Sequence, residues 1–338
     1  MKNQYVGDIG DYGKYGLLRF LGLHGITVGI NWYLTGRDET GNGAITGYLN
    51  SPGQKECDPV VFSALERIVK TYSQDERRVQ MIQDENLIPA AIYYSDEVNL
   101  QDKNPKDRVY LRRFWYNRSI IALKNAELIF ADPDNGISYH ETSRSKKGEK
   151  YVFPEEIAGY YYRGKDVVFY CHKGRRNEDK WRQAVVSIAV FIPEAKVYDL
   201  AFYGGPRRSY IFVVHPENAE RYRELLNEFV TGPWKKRFPY HAIAYSDCEG
   251  GSQKEQLEIN RRIVERFQKM YPSQKMKEAA LSEMTNPQID NLINASFMEQ
   301  EKTFYASFRK TDDEMKRLDD VLILGSGFMA PTIGEIYV

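Results

Sequence analysis

The sequence predicts an α/β protein: a mostly parallel sheet with an antiparallel hairpin at one edge and a helical C-terminal extension. Three observations carry this expectation. Short apolar runs alternate with helical patterns of about ten to fifteen residues, as βαβ units do. One run, Leu128–Ala131, stops abruptly at Asp132-Pro133-Asp134-Asn135-Gly136, the behaviour of a fully buried strand of a parallel sheet. Two later runs, Lys196–Ala201 and Tyr210–Val214, are joined through Gly204-Gly205-Pro206 and read as a hairpin.

The elements follow in order. After Asp11, the stretch Lys14–Leu23 has apolar residues at helical spacing and ends near Gly25. Ile26–Leu34 is an apolar strand, followed by a loop rich in Gly, Asp, Asn and Thr through Gly53. Asp58 is a good N-cap, and Pro59 at the first helical position opens a helix over Pro59–Tyr72. Ala90–Tyr94 is a second strand, and Asp107–Asn125 a long arginine-bearing helix leading into Leu128–Ala131. Pro154–Tyr162 is a helix, Asp166–Tyr170 a strand and Asn177–Val190 a helix; Pro216–Val230 is a helix after the hairpin. Near Gly250-Gly251 the character changes. Gln253–Met270 and Pro287–Phe308 are charged and helical, and no strand pattern returns until Val321–Leu324. The expected division is a domain over 1–249 and an extension over 250–338, a layer on the sheet or an arm for partner or substrate contact.

Composition narrows the function classes. A chain of 338 residues that is 42% hydrophobic and 28% charged has material for a large core and an appendage, not for a disordered chain. Its 47 basic residues balance 47 acidic ones, so no global field attracts nucleic acid or membrane, and a polyanion site has to be local. The 25 tyrosines suit half-buried sheets and equally surfaces that stack on bases. Cys57, Cys171 and Cys248 form no C-x-x-C pair, which excludes a disulfide scaffold and a structural zinc site and fits a reducing cytoplasm. No stretch of about eighteen apolar residues occurs, so neither an exported nor a membrane-spanning protein is expected.

Four constellations could carry chemistry. Ligands of open α/β sheets bind outside the carboxyl ends of the strands, where Asp132 and Asp134 would be delivered. An acid and the amide of Asn135 could hold the exocyclic amine of a nucleobase; the same acids could bind Mg²⁺; or the segment could be a plain turn. Near the N-terminus, glycines at positions 7, 10, 13 and 16 would let backbone approach a ligand, with Asp8, Asp11 and Lys14 on one helical face; an N-cap before an amphipathic helix gives the same pattern. After Tyr170, the residues His172, Lys173, Arg175 and Arg176 form a basic cluster suited to phosphate. Arg207 and Arg208 follow the glycine pair and could touch a nucleic-acid backbone, or be solvated turn charges.

From roughly Gly7 to Val230 the order of these motifs resembles the class I, Rossmann-like methyltransferases that methylate adenine N6 in bacterial large-subunit ribosomal RNA. Asp11-Tyr12-Gly13-Lys14 is similar to the family's N-terminal Asp-x-x-Lys, and Val28–Gly43 to its first strand and glycine-bearing loop. Asn50-Ser51-Pro52-Gly53 is similar to a Gly-Ser-Pro segment, and Asp132-Pro133-Asp134-Asn135 stands where Asp-Pro-Pro-Tyr would. Arg207–Val214 is similar to an Arg-Arg turn entering a last strand. The second proline and the aromatic residue are replaced by Asp134 and Asn135, and the first strand has no acid beside a tight Gly-x-Gly; Gly41-Asn42-Gly43 comes late.

The resemblance implies S-adenosylmethionine as cofactor and nucleic acid as substrate. Asp132 would orient the attacking amine with Asn135 assisting; Asp11, Lys14, Gly41, Gly43 and Asp96 would line the cofactor pocket; Lys173, Arg175, Arg176, Arg207 and Arg208 would hold phosphates. Two other readings stay open. One is a nuclease or phosphoesterase with Mg²⁺ on Asp132 and Asp134, His172 as base and Lys173 stabilising the phosphorane. The other is a non-catalytic protein that binds a nucleotide or partner.

Overall fold

The computed structural model describes residues 1–244 apart from 38–42, 139–144, 175, 193, 205–206 and 240–242. The expected extension with its helices, the boundary near Gly250, the strand at Val321–Leu324, Gly41 and Arg175 all lie outside the described residues. The chain divides into one unit of Met1–Trp181 with Lys196–Tyr245 and a second of Arg182–Ala195 with Ser246–Val338. The first holds the sheet. Of the second, the described part is the end of a helix and a 3-10 turn at Ser187–Val190.

Seven strands form one mixed sheet: β1 Val28–Asn31, β2 Ile92–Tyr94, β3 Leu128–Ala131, β4 Asp166–His172, β5 Lys196–Phe202, β6 Arg208–Val214 and β7 Ile243–Ala244, in the order β2-β1-β3-β4-β6-β5-β7. The strands from β2 to β4 are parallel, with Ile30 opposite Phe130 and Phe130 opposite Val168. β6 is antiparallel to both β4 and β5. The α/β class is as expected; the sheet is mixed rather than mostly parallel, with three parallel and three antiparallel pairings. The antiparallel hairpin of β5 and β6 stands at one end of the sheet as expected, with its returning strand β6 between β4 and β5 and the two-residue β7 added outside β5. Ser209 through Val214 are all buried, which an edge strand with one wet side does not require.

The helices are α1 Ile9–Leu23, α2 Pro52–Lys55, α3 Pro59–Thr71, α4 Gln80–Asp84, α5 Pro105–Ala122, α6 Pro154–Tyr161, α7 Glu178–Val186 and α8 Ala219–Thr231. Asp58 caps α3 by accepting from the N–H groups of Val60 and Val61, and Asn104 does the same for α5 ahead of Pro105. α1 and α8 lie on one face of the sheet, where Tyr12, Tyr15 and Leu18 join Phe130, Val168, Tyr170, Phe202 and Phe212 in one core. The other face carries Leu123 and Ala126, which follow α5, against Gly29, and Tyr160 of α6 against Asn31.

α1 begins earlier than its apolar pattern suggested. Asp8 is its N-cap, accepting from the Gly10 N–H at 2.9 Å, so Gly10, Gly13 and Gly16 are helical rather than part of a ligand-binding loop. Their job is close packing. A Cβ on Gly13 would stand 2.4 Å from the Phe202 ring, and one on Gly16 would stand 2.0 Å from Trp234. Replacing a helical glycine by alanine gains up to about 1 kcal/mol of propensity, whereas overpacking a tight core costs about 1–3 kcal/mol. The clash should win. Gly16→Ala is expected to lower stability by about 2 kcal/mol, read as a lower urea midpoint at unchanged slope; a raised midpoint would mean that α1 is not seated against Trp234.

Candidate functional site

The strand order reverses at β1: the chain leaves β1 for β2 on one side and returns to β3 on the other. That makes the carboxyl ends of β1 and β3 the switch point, the expected ligand crevice of a wound sheet. Asn31 and Asp132 meet there, the Asp132 N–H donating to the Asn31 carbonyl at 3.0 Å. Gly136, four residues on, has φ +87 and backs onto Cys171, whose Sγ a Cβ would meet at 2.4 Å. The turn therefore needs glycine at this point for both conformation and space.

Three of the sequence-predicted residues come together at this edge. The Lys14 ammonium donates to Asp132 Oδ2 at 2.6 Å and to Asp11 Oδ1 at 2.8 Å, and all three side chains are buried. The Tyr15 hydroxyl donates to the other Asp11 oxygen at 2.9 Å. Burial drives the Asp11 pKa up to about 6, with the Asp132 and Asp8 carboxylates adding to it and Lys14 opposing. Burial works against the Lys14 ammonium, but the two carboxylates outweigh it and leave its pKa above the ordinary value.

Asp134 is held separately. It pairs with the Met1 ammonium at 2.8 Å and lies 3.7 Å from Lys2. That ammonium also donates to the Asp132 carbonyl at 2.7 Å and the Tyr33 carbonyl at 3.2 Å. Burial opposes the Asp134 carboxylate, yet these cations keep its pKa below the ordinary value. Asn135 is exposed, and its N–H donates to the Lys150 carbonyl at 2.9 Å, outside the buried group.

Parallel pairing of β3 and β4 brings His172 to the same edge as Asp132. It lies opposite Arg208 in the antiparallel ladder, and Tyr170 lies opposite Tyr210. Arg208 donates through Nε to the Tyr170 hydroxyl at 3.2 Å and through Nη2 to Asp8 at 3.2 Å; the Tyr170 hydroxyl is 2.8 Å from His172 Nε2. Burial, Arg208 and Lys14 push the His172 pKa down to about 4 against the opposing pull of Asp134. Burial also pushes the Cys171 thiol up to about 11, which keeps it from acting as a thiolate nucleophile.

The His172 shift sets a pH test. Its folded pKa lies below the unfolded value, so between about pH 6.5 and 4 the unfolded chain binds a proton that the native state refuses. Stability is lost as pH falls through that window. His172→Asn should therefore lose roughly 2 kcal/mol less than the parent chain between about pH 6.5 and 4.5. Urea unfolding at both pH values measures it, and equal losses would contradict the buried neutral imidazole.

The other predicted residues lie elsewhere. Lys173 pairs with Glu178, and Arg207 pairs with Asp199 at 3.0 Å and Glu178 at 3.2 Å, beside the Trp181 ring. Arg176 donates to the His172 carbonyl at 2.9 Å. Gly43, with φ +88, packs on Gln4 and Tyr5, and Asp96 pairs with Arg118 at 3.0 Å beyond β2.

Sequence reasoning missed Tyr33, Arg112 and Glu156. Tyr33 follows β1 with φ 45, a left-handed conformation uncommon for a bulky residue and worth treating as stored strain. Its N–H donates to Asn31 Oδ1 at 3.1 Å and its hydroxyl to Glu156 at 3.1 Å. Arg112 makes a bidentate pair with Glu156 at 2.7 and 2.9 Å, and its guanidinium packs within 5.1 Å of the Tyr33, Trp115 and Phe153 ring centroids. The signal in the sequence was slight: Glu156 stands three residues after Phe153, a capping position, and its side chain does accept from the Phe153 N–H.

Among the described residues no group of three or more His, Cys, Asp or Glu side chains is placed to hold a metal ion. Asp132 and Asp134, the residues offered for Mg²⁺, each face a different ammonium group. Nor is any helix among the described residues long and apolar enough to cross a membrane. Compared with known proteins, the chain matches no family model, no curated protein and no solved structure.

Proposed function

We propose that this protein is a methyltransferase-like enzyme that uses S-adenosylmethionine to methylate an exocyclic amine of a nucleic-acid base. One observation carries the reading. At the switch point, Asp132, Asp11 and Lys14, the positions that match the family's two short motifs, form one buried group although 118 residues separate Lys14 from Asp132. The oxygens beside them suit the cofactor's amino-acid end. The Tyr33 carbonyl, the Asp132 carbonyl and Asp134 Oδ1 converge on an ammonium, and the Met1 ammonium stands in for an α-amine there. A cofactor at this place displaces Met1. The choice of nucleic acid as substrate rests on the resemblance.

The cofactor supplies an electrophilic methyl group. Asp132 accepts from the amine and fixes its lone pair, a role of positioning and electrostatics. Lys14 holds Asp132 in place from the far side, and Asp11 in turn holds Lys14. The burial of Asp132, 2% exposed, favours a second reading in which the cluster is structural and the protein does not catalyse.

Thermal unfolding with S-adenosylmethionine, and with its demethylated product, separates the two. A ligand at about a hundred times its Kd stabilises by about 2.7 kcal/mol and raises the Tm accordingly. Asp134→Asn, which keeps the shape and removes the charge facing the amine, should cut the response at least tenfold in ligand concentration. No shift at millimolar ligand leaves the structural reading standing.

A further inference from the structure

Asp8, Arg208, Tyr170 and His172 form a hydrogen-bonded chain that the proposed activity does not use. Donor and acceptor bookkeeping fixes its direction. Arg208 Nε can only donate, so the Tyr170 hydroxyl oxygen accepts from it at 3.2 Å. The hydroxyl keeps one proton of its own, and Tyr170 is buried, where an unused donor is costly. His172 Nε2, at 2.8 Å, is the nearer acceptor, with Nδ1 at 3.5 Å; Lys14, which lies over the ring, is a cation. Nε2 therefore carries no proton, and the imidazole proton sits on Nδ1.

We infer that Tyr170 is a positioning residue that locks His172 as a neutral imidazole protonated on Nδ1, making it a hydrogen-bond donor at the carboxyl edge of the sheet rather than a base. The charges around it act in one direction with one exception. Arg208 on β6 and Lys14 on α1 repel an imidazolium, Tyr170 on its own strand consumes the nitrogen that would take the proton, and only Asp134 beyond β3 favours the charge. Asp8, which could have drawn Arg208 away, instead holds it at 3.2 Å. A group of this kind binds an acceptor oxygen, such as a phosphate or carbonyl oxygen of a substrate, and stays in the same state across neutral pH. His172 shares the crevice with the proposed methyl transfer, but the assignment stands without it, because its readout needs no cofactor.

The experiment is nitrogen NMR of the full chain labelled at histidine, from pH 5 to 8, with the His172 signals assigned by their loss in His172→Asn. The expected spectrum shows an unprotonated Nε2 and a protonated Nδ1, unchanged across the range. Tyr170→Phe keeps the ring and removes the hydroxyl; its His172 should become a mixture of tautomers, still neutral across the range because burial, Arg208 and Lys14 remain. A proton on Nε2 in the parent chain, or titration at pH 6 or above, overturns the inference, as does a Tyr170→Phe spectrum identical to the parent. Should Tyr170→Phe fail to fold, the parent spectrum alone still decides the tautomer. Loss of S-adenosylmethionine binding, by contrast, would remove the proposed activity and leave the tautomer as it is.

Discussion

Lys14→Met is expected to destabilise the protein by about 3–5 kcal/mol, the usual loss when one member of a buried ionic group is removed. The long side chain is matched in length, so packing changes little and the charge dominates. Asp11 and Asp132 are then left buried beside each other with no cation between them. The simplest relief is to protonate one of them, and Asp11, already at about 6, is the one prepared to take the proton. The sign follows. An Asp whose folded pKa is raised above its unfolded value is comfortable below the folded pKa and loses stability as pH rises through it. The Lys14→Met penalty should therefore be larger at pH 8 than at pH 5. Urea unfolding at the two values measures both the size and the slope. A loss below about 1 kcal/mol at pH 8, with an unchanged denaturant slope, would show that the three groups do not form the ionic cluster described.

How much of this was legible in the sequence depends on the range of the interaction. The strands β1, β3 and β4 showed as apolar runs, because a buried parallel strand has no polar face to hide. From their parallel pairing it followed that Asp132 and His172 share an edge, and they do. The Asp11–Lys14 pair was visible as a spacing of three on one helix, a local fact. That Lys14 also reaches Asp132 was not visible, since it depends on how α1 lies across the sheet. The glycines of α1 misled for a physical reason. A glycine that frees the backbone for a ligand and a glycine that admits the Trp234 ring leave the same letter in the chain. The surroundings of the basic cluster were not legible. Lys173 and Arg207 read as phosphate contacts, and folding sets both beside Glu178, and Arg207 also beside the buried Asp199. Arg208, its immediate neighbour, points to the opposite face because alternate residues of a strand do, and there it meets Tyr170 and Asp8. Two adjacent arginines thus have different roles, and only the strand register tells them apart.

The second large effect is expected at Glu156, a residue whose sequence context gave little hint of its surroundings. Glu156→Ala leaves the Arg112 guanidinium, 3% exposed, without its carboxylate, and it takes an acceptor from the Tyr33 hydroxyl and the Phe153 N–H in the same step. One orphaned buried charge costs about 3–5 kcal/mol. The three surrounding rings recover part of that, since an arginine against an aromatic face gains about 0.5–2 kcal/mol, but they already do so in the parent chain and cannot replace the anion. The double variant Arg112→Met with Glu156→Ala is the decisive comparison. With both charges gone, an apolar side chain among Tyr33, Trp115 and Phe153 is at home, and the double variant should be more stable than Glu156→Ala alone. The double-mutant cycle, read from urea midpoints, gives the coupling. If the double variant is less stable than either single one, the pair is not coupled as the geometry requires. The consequence reaches the switch point through Tyr33, because its left-handed backbone is tied down at one end by Asn31 and at the other by Glu156. With the Glu156 tether gone and only Asn31 holding it, a residue at φ 45 relaxes towards ordinary values, and its carbonyl turns with it. That carbonyl is one of the three oxygens around the ammonium beside Asp132. Glu156→Ala should therefore weaken binding of the proposed cofactor, S-adenosylmethionine, beyond what Tyr33→Gly does, since glycine adopts the left-handed conformation without a tether.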